Sequence, residues 1–228
     1  MALTLANIRS RVTARLGLDS TSSGSEATLL DAYVNDAYED FLQRTACWIE
    51  RSTMTTTAGT ADYDLDQDIM QIVELYVTGT DSLQTQMARV TPVDILEFRR
   101  TSSDADSPSR RYATQGHNML MLWPTPSDAD TLTVYYVPRP STLSASTDSA
   151  SLIPPQYHKA LEFYALAEMA DYDDDQSSAM GQSYRARYEQ MVVACRREAT
   201  RMGSRRLAPA RVGKRASRYW PIGRDDGS

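Results

Sequence analysis

A chain of 228 residues, 41% apolar and 24% charged, has the size and composition of one sizeable globular core with room for a satellite. No apolar run approaches the ~18 residues that span a bilayer, Met1–Leu5 lacks the basic and apolar regions of a secretory leader, and two cysteines 148 positions apart make no disulfide framework. The net charge of −6 hides a segregation, because Arg185 to Ser228 carries twelve Lys/Arg against four Asp/Glu and leaves residues 1–184 at −14.

Leu5, Ile8, Val12 and Leu16 recur at spacings of 3, 4 and 4, which predicts an amphipathic helix over 4–16 with Gly17 as its stop. Ser23 and Glu26 have capping-box spacing for a second helix over 26–46, with Leu30, Val34, Ala37 and Phe41 as its apolar stripe. The two read as a packed hairpin.

From Trp48 the period changes to that of strands, and residues 48–138 read as an antiparallel β unit. Strands are expected over 48–58, 61–66, 69–77, 83–90, 111–114, 119–123 and 131–137, with 83–90 returning beside 69–77. One short helix interrupts them. It starts at Thr91-Pro92-Val93-Asp94, where Thr caps, Pro takes the first helical position and an acid enters the first turn.

After a Ser/Thr/Ala loop, Ile153-Pro154-Pro155-Gln156-Tyr157-His158 leads into a helix over 154–171. The break at Tyr172-Asp173-Asp174-Asp175 precedes a longer helix over 175–202. Met180, Tyr184, Tyr188, Met191, Cys195, Ala199 and Met202 form its stripe, and Arg185, Arg187, Arg196, Arg197 and Arg201 lie off it. Helices segregated from strands predict an α+β fold: N- and C-terminal helices packed as a bundle, an inserted β unit, and an extended arm. The division is one domain over 1–202 and a basic arm over 203–228.

Little in the sequence suggests catalysis. His117 falls in a turn and His158 in the first turn of a helix, where surface or packing roles are simplest. No zinc spacing, phosphate-binding Gly loop or nucleophile elbow occurs, so neither metal nor cofactor is expected, and an unrecognised hydrolase lacks its His/Cys/Glu constellation. Asp171, Asp173, Asp174 and Asp175 are the best cation candidates, but they lack the Gly and Glu of a calcium loop and suit a helix cap better.

The arm is more informative. Arg205, Arg206, Arg211, Lys214, Arg215 and Arg218 precede Tyr219, Trp220 and Ile222. Such a segment cannot fold alone, yet aromatic anchors beside arginines are what interfaces use. Three readings stay open: an arm that docks on a partner, a single-stranded nucleic-acid binder, or a solvated extension.

Taken together, Leu5-Ala6-Asn7-Ile8-Arg9-Ser10-Arg11-Val12, Leu29-Leu30-Asp31-Ala32-Tyr33-Val34-Asn35-Asp36-Ala37, Tyr63-Asp64-Leu65, Met121-Leu122-Trp123-Pro124-Thr125-Pro126, Val134-Tyr135-Tyr136 and Ile153-Pro154-Pro155-Gln156-Tyr157-His158-Lys159-Ala160-Leu161 with Tyr164-Ala165-Leu166-Ala167 carry a resemblance. In order and type, over roughly residues 3 to 195, the chain resembles the head-to-tail connector (adaptor) proteins of tailed bacteriophages. The resemblance implies a structural, non-enzymatic virion protein of the neck, made in the host cytoplasm. It implies a ring of copies matching a twelvefold portal and continuing the DNA channel, with genomic DNA passing through unbound. Partners would be the portal, further copies of itself, and a tail or nozzle (stopper) protein, with no membrane. Terminal arms in such families clasp the portal, which is the partner expected for Arg205 to Ile222.

Overall fold

The computed structural model describes residues 3–17, 25–79, 82–101, 108–116, 118–172 and 178–206. Five α-helices and eight strands follow one another in the expected order. α1 (Leu5–Leu16) and α2 (Ser25–Thr45) come first, then β1 (Glu50–Thr55), β2 (Asp62–Asp64), β3 (Ile69–Thr78), β4 (Gln84–Gln86) and β5 (Ala88–Arg89). After α3 (Pro92–Thr101) come β6 (Arg111–Gln115), β7 (Met119–Trp123) and β8 (Thr131–Pro138), and last α4 (Lys159–Tyr172) and α5 (Ser178–Arg206). The fold is α+β, as the segregation of helical and strand periods predicts.

Local chemistry sets the helix ends. Thr4 Oγ1 accepts the Asn7 N–H of α1 at 3.3 Å, and the N–H groups of Leu5 and Ala6 donate to the carbonyls of Asp148 and Ser146. The first-turn donors that a helix leaves orphaned are thus taken up by side chain and loop. Gly17 ends α1 in the left-handed conformation (φ 68°), its N–H returning to the Thr13 carbonyl. In α3 the Asp94 N–H donates to Thr91 Oγ1 at 3.2 Å while the Asp94 carboxylate accepts the Thr91 N–H at 3.0 Å, a reciprocal cap that holds the Asp94 carboxyl below the usual carboxylate range. The capping-box residue Ser23 lies outside the described residues.

The bundle is built around α4. Its sequence KALEFYALAEMADY is apolar almost all round, and Ala160, Leu161, Phe163, Ala165, Leu166 and Met169 are buried. Such a helix belongs at a centre, not a surface. α1 contributes Leu5, Ile8 and Val12, α2 contributes Val34, Phe41 and Leu42, and α5 contributes Tyr188, Val192 and Cys195 to the same core. α1 packs on α4 as well as on α2, so the expected α1–α2 hairpin is one side of a four-helix arrangement. On α5 the expected stripe is buried at Tyr188 and Cys195 and packs on the core at Tyr184 and Met191, with local shifts beside it. Gly181 is buried where Met180 is 41% exposed, and Val192 is buried beside half-buried Met191.

The β unit is two four-stranded sheets in the orders β1-β8-β3-β4 and β2-β7-β6-β5. Their facing sides bury Leu75, Val77, Leu132 and Val134 from the first against Tyr112, Leu120 and Leu122 from the second. The alternate residues Ala113 and Met121 turn outward under Ile95 of α3. This double cover explains why Met119–Trp123 is continuously apolar. The first sheet meets the bundle through Val73 and Val137. The expected single strand 83–90 is divided at buried Met87. Its first part returns beside β3 as expected, whereas its second crosses to the other sheet and runs parallel to β6, the one parallel pairing among the described residues. Met87 fills the space between sheets, and that burial decides where the strand changes partner.

Candidate functional site

The partner-binding residues expected from sequence fall almost wholly beyond the described chain. The backbone of α5 stays helical through Arg206, four residues past the expected end at Met202, so Arg205 and Arg206 begin as helix. Arg211, Lys214, Arg215, Arg218, Tyr219, Trp220 and Ile222 lie outside the described residues, as do His117, Asp173, Asp174 and Asp175.

What the structure describes is the base that carries the arm. At ~1.5 Å per residue α5 is about 44 Å long, and four side-chain ties fix it to the bundle. Arg185 bonds Glu168 of α4 at 2.9 Å, and Tyr188 donates to Asp40 of α2 at 2.5 Å. Arg44 of α2 forks onto Glu189 at 2.8 and 2.5 Å, and Tyr157 donates to Glu198 at 2.6 Å. The Tyr188 phenol is held far above its ordinary pKa by burial and then by Asp40. Tyr157 is pushed up to about 12, chiefly by the hydrogen bond to Glu198. Both phenols therefore stay protonated as donors. Arg185, Arg187, Arg196, Arg197 and Arg201 are exposed, as their place off the apolar stripe predicts.

Beside the last turns of α5 runs an open groove of about 650 Å³, walled by Ile49, Val73, Val193 and Ala199 with Arg196 at its edge. Ile49 is 48% and Val193 44% exposed. On the other side of the bundle, α1, α4 and α5 assemble a basic face. Glu162 of α4 is fully buried and faces Arg15 at 3.0 Å and Arg11 at 3.5 Å. Next to it the Phe163 ring lies under Arg15, Lys159 and Arg187, at 5.9, 5.7 and 5.7 Å. Sequence reasoning missed this face. Arg11 and Arg15 share one side of a helix by their spacing of four, but nothing in the sequence joins that side to residues 159–187.

The remaining reactive groups hold structure together. His158 is buried; its Nδ1 accepts the Leu3 N–H at 3.1 Å, so the proton sits on Nε2, which donates to the Ile153 carbonyl at 2.8 Å. This pins the start of the chain to the start of α4. Cys47 and Cys195 are free thiols, and Cys47 Sγ donates to the Leu152 carbonyl at 3.8 Å. The neighbouring Cys195 thiol lowers Cys47 to about 7 and is itself raised. Among the described residues, no group of three His, Cys, Asp or Glu is placed to hold a metal ion, and no helix is long and apolar enough to cross a membrane.

The sequence profile of the family described as SU10 adaptor protein matches residues 3–213, taking in the bundle, the two sheets and, past the limit near residue 195 set by the motifs above, Arg205, Arg206 and Arg211 of the arm. No curated protein matches the chain.

Proposed function

The chain belongs to the SU10 adaptor protein family, and from that membership we propose that it is a structural protein of the phage head–tail junction which forms a ring beneath the portal, continues the DNA channel and docks its C-terminal arm on the portal. The observation that carries this reading is the family match across residues 3–213, which covers both structural units and enters the arm. The ties from α2 and α4 give α5 a rigid seat, so a partner that grips the arm pulls on the whole bundle. An arm that orders only on its partner delays that contact until the portal is present.

The acidic balance of residues 1–184 suits a channel wall, because it offers DNA few phosphate-neutralising contacts and lets the duplex slide. The tail or nozzle protein would meet the face of the ring away from the portal, and the protein would reside in the virion neck after synthesis in the host cytoplasm.

The test is removal of residues 207–228. The shortened protein is expected to fold with an unchanged helical spectrum and to lose retention on assembled portal rings. Full retention would contradict arm docking. Retention of the intact protein on single-stranded DNA with a steep salt dependence, and not on portals, would favour the nucleic-acid reading of the same residues.

A further inference from the structure

Four cations cluster about one buried carboxylate and the ring next to it on the face made by α1, α4 and α5. Arg11 and Arg15 reach Glu162, and Arg15, Lys159 and Arg187 each lie within 5.9 Å of the Phe163 ring centre. The three share one ring and can be no more than about 12 Å apart, a local cluster of like charge whose mutual repulsion is screened beyond about 8 Å in physiological salt. One glutamate offsets one of the four, leaving three positive charges on a chain whose first 184 residues carry −14. A fixed surplus of that kind is complementary to an anionic partner.

The same chain presents such a surface. Along the turn from β2 into β3, Asp64, Asp66 and Asp68 are exposed at every second position, and among the described residues none forms an ion pair. Their neighbour Asp62 is taken by Arg99 at 2.7 Å, and Arg139, whose backbone N–H donates to the Asp68 carbonyl, turns its guanidinium to Glu39 at 4.0 Å. The Tyr136 phenol beside the strip is raised by burial and then by Glu50, Asp66 and Asp68.

The two surfaces are separate patches built from different elements. The turn after Asp66 lines a cleft with Glu39 and Gln43 of α2, whereas no α2 residue contributes to the basic face. Within α4, Tyr164 turns to Tyr188, which reaches α2, while Phe163 turns to Tyr184 and the gap between α1 and α5. Two different patches that meet produce a head-to-tail contact, which closes into a ring when its rotation closes.

We infer that the basic face of Arg11, Arg15, Lys159 and Arg187 seats the Asp64–Asp68 strip of a second copy of this chain, as the contact between neighbours in the ring. The inference rests on the ring-forming reading above.

The test uses full-length chains in which each surface is reversed. Lys159→Glu with Arg187→Glu makes both surfaces acidic; Asp64→Lys with Asp68→Lys makes both basic. Sedimentation and electron microscopy, with portal rings present, count assembled rings. Each reversed protein alone is expected to give at least about tenfold fewer rings than wild type, because like charges meet. An equal mixture is expected to restore rings of alternating copies, a result that misfolded proteins cannot give. If either reversed protein assembles like wild type, or if the mixture stays unassembled while both give wild-type circular dichroism, the pairing is wrong. If the Lys159→Glu, Arg187→Glu protein assembles normally and instead loses retention on duplex DNA, the face binds phosphates and the pairing is likewise wrong. Wild-type protein that forms no ring with or without portals refutes the ring reading itself, a separate result.

Discussion

At the scale of single residues, the side chains that look reactive are held in structural work, and their chemistry can be tested there. Cys47 is half-buried while Cys195 is 2% exposed, and the thiol of Cys195 stabilises the thiolate of Cys47 at about 7. Thiolates are the nucleophiles, so iodoacetamide should label Cys47 first, with a rate that rises through neutral pH. Mass spectrometry showing Cys195 modified first would contradict the assignment. Tyr157 gives a pH dependence of defined sign. Its folded pKa, about 12, is raised above the ordinary 10 by Glu198. The stability it contributes is complete below pH 10 and is lost as pH rises through 12. Thermal melts should show a steeper alkaline decline for wild type than for Tyr157→Phe; equal slopes would exclude this contribution. His158→Ala leaves the Leu3 N–H and the Ile153 carbonyl without their partner and should cost about 1–3 kcal/mol by urea denaturation.

At the scale of elements, the parts with a regular period were legible in sequence and the parts set by long-range packing were not. Thr4 to Gly17 shows the first case. Its spacing and stop are local and stand where expected, while Thr4, expected as the first helical residue, caps the helix instead. Gly17 holds φ 68° with no atom within 4 Å of where a Cβ would be, so Gly17→Ala meets only the backbone penalty. That should cost about 1 kcal/mol in equilibrium unfolding, and no loss would mean that α1 ends differently. Strand 83–90 shows the second case. Its residues suit one strand, yet burial of Met87 between the sheets divides it and sends β5 to a parallel neighbour.

At the scale of the whole molecule, the α+β layout and the family were legible because motif order survives without any knowledge of contacts. The surfaces that would join copies were not. The basic face draws on residues 11, 15, 159 and 187, which only the folded bundle brings together. The arm rests on a different signal, a change in composition after Met202, and lies almost wholly outside the described residues. Loss of the arm is expected to remove portal binding without unfolding the bundle, whereas reversal of one charged surface is expected to remove neighbours without removing the arm. The measurement that bears most directly on the adaptor reading is electron microscopy of the purified full-length protein mixed with portal rings. The expected result is a second ring of twelve copies, coaxial with the portal and extending its channel. Portal rings that remain bare at saturating protein, or protein bound without rotational symmetry, would contradict it.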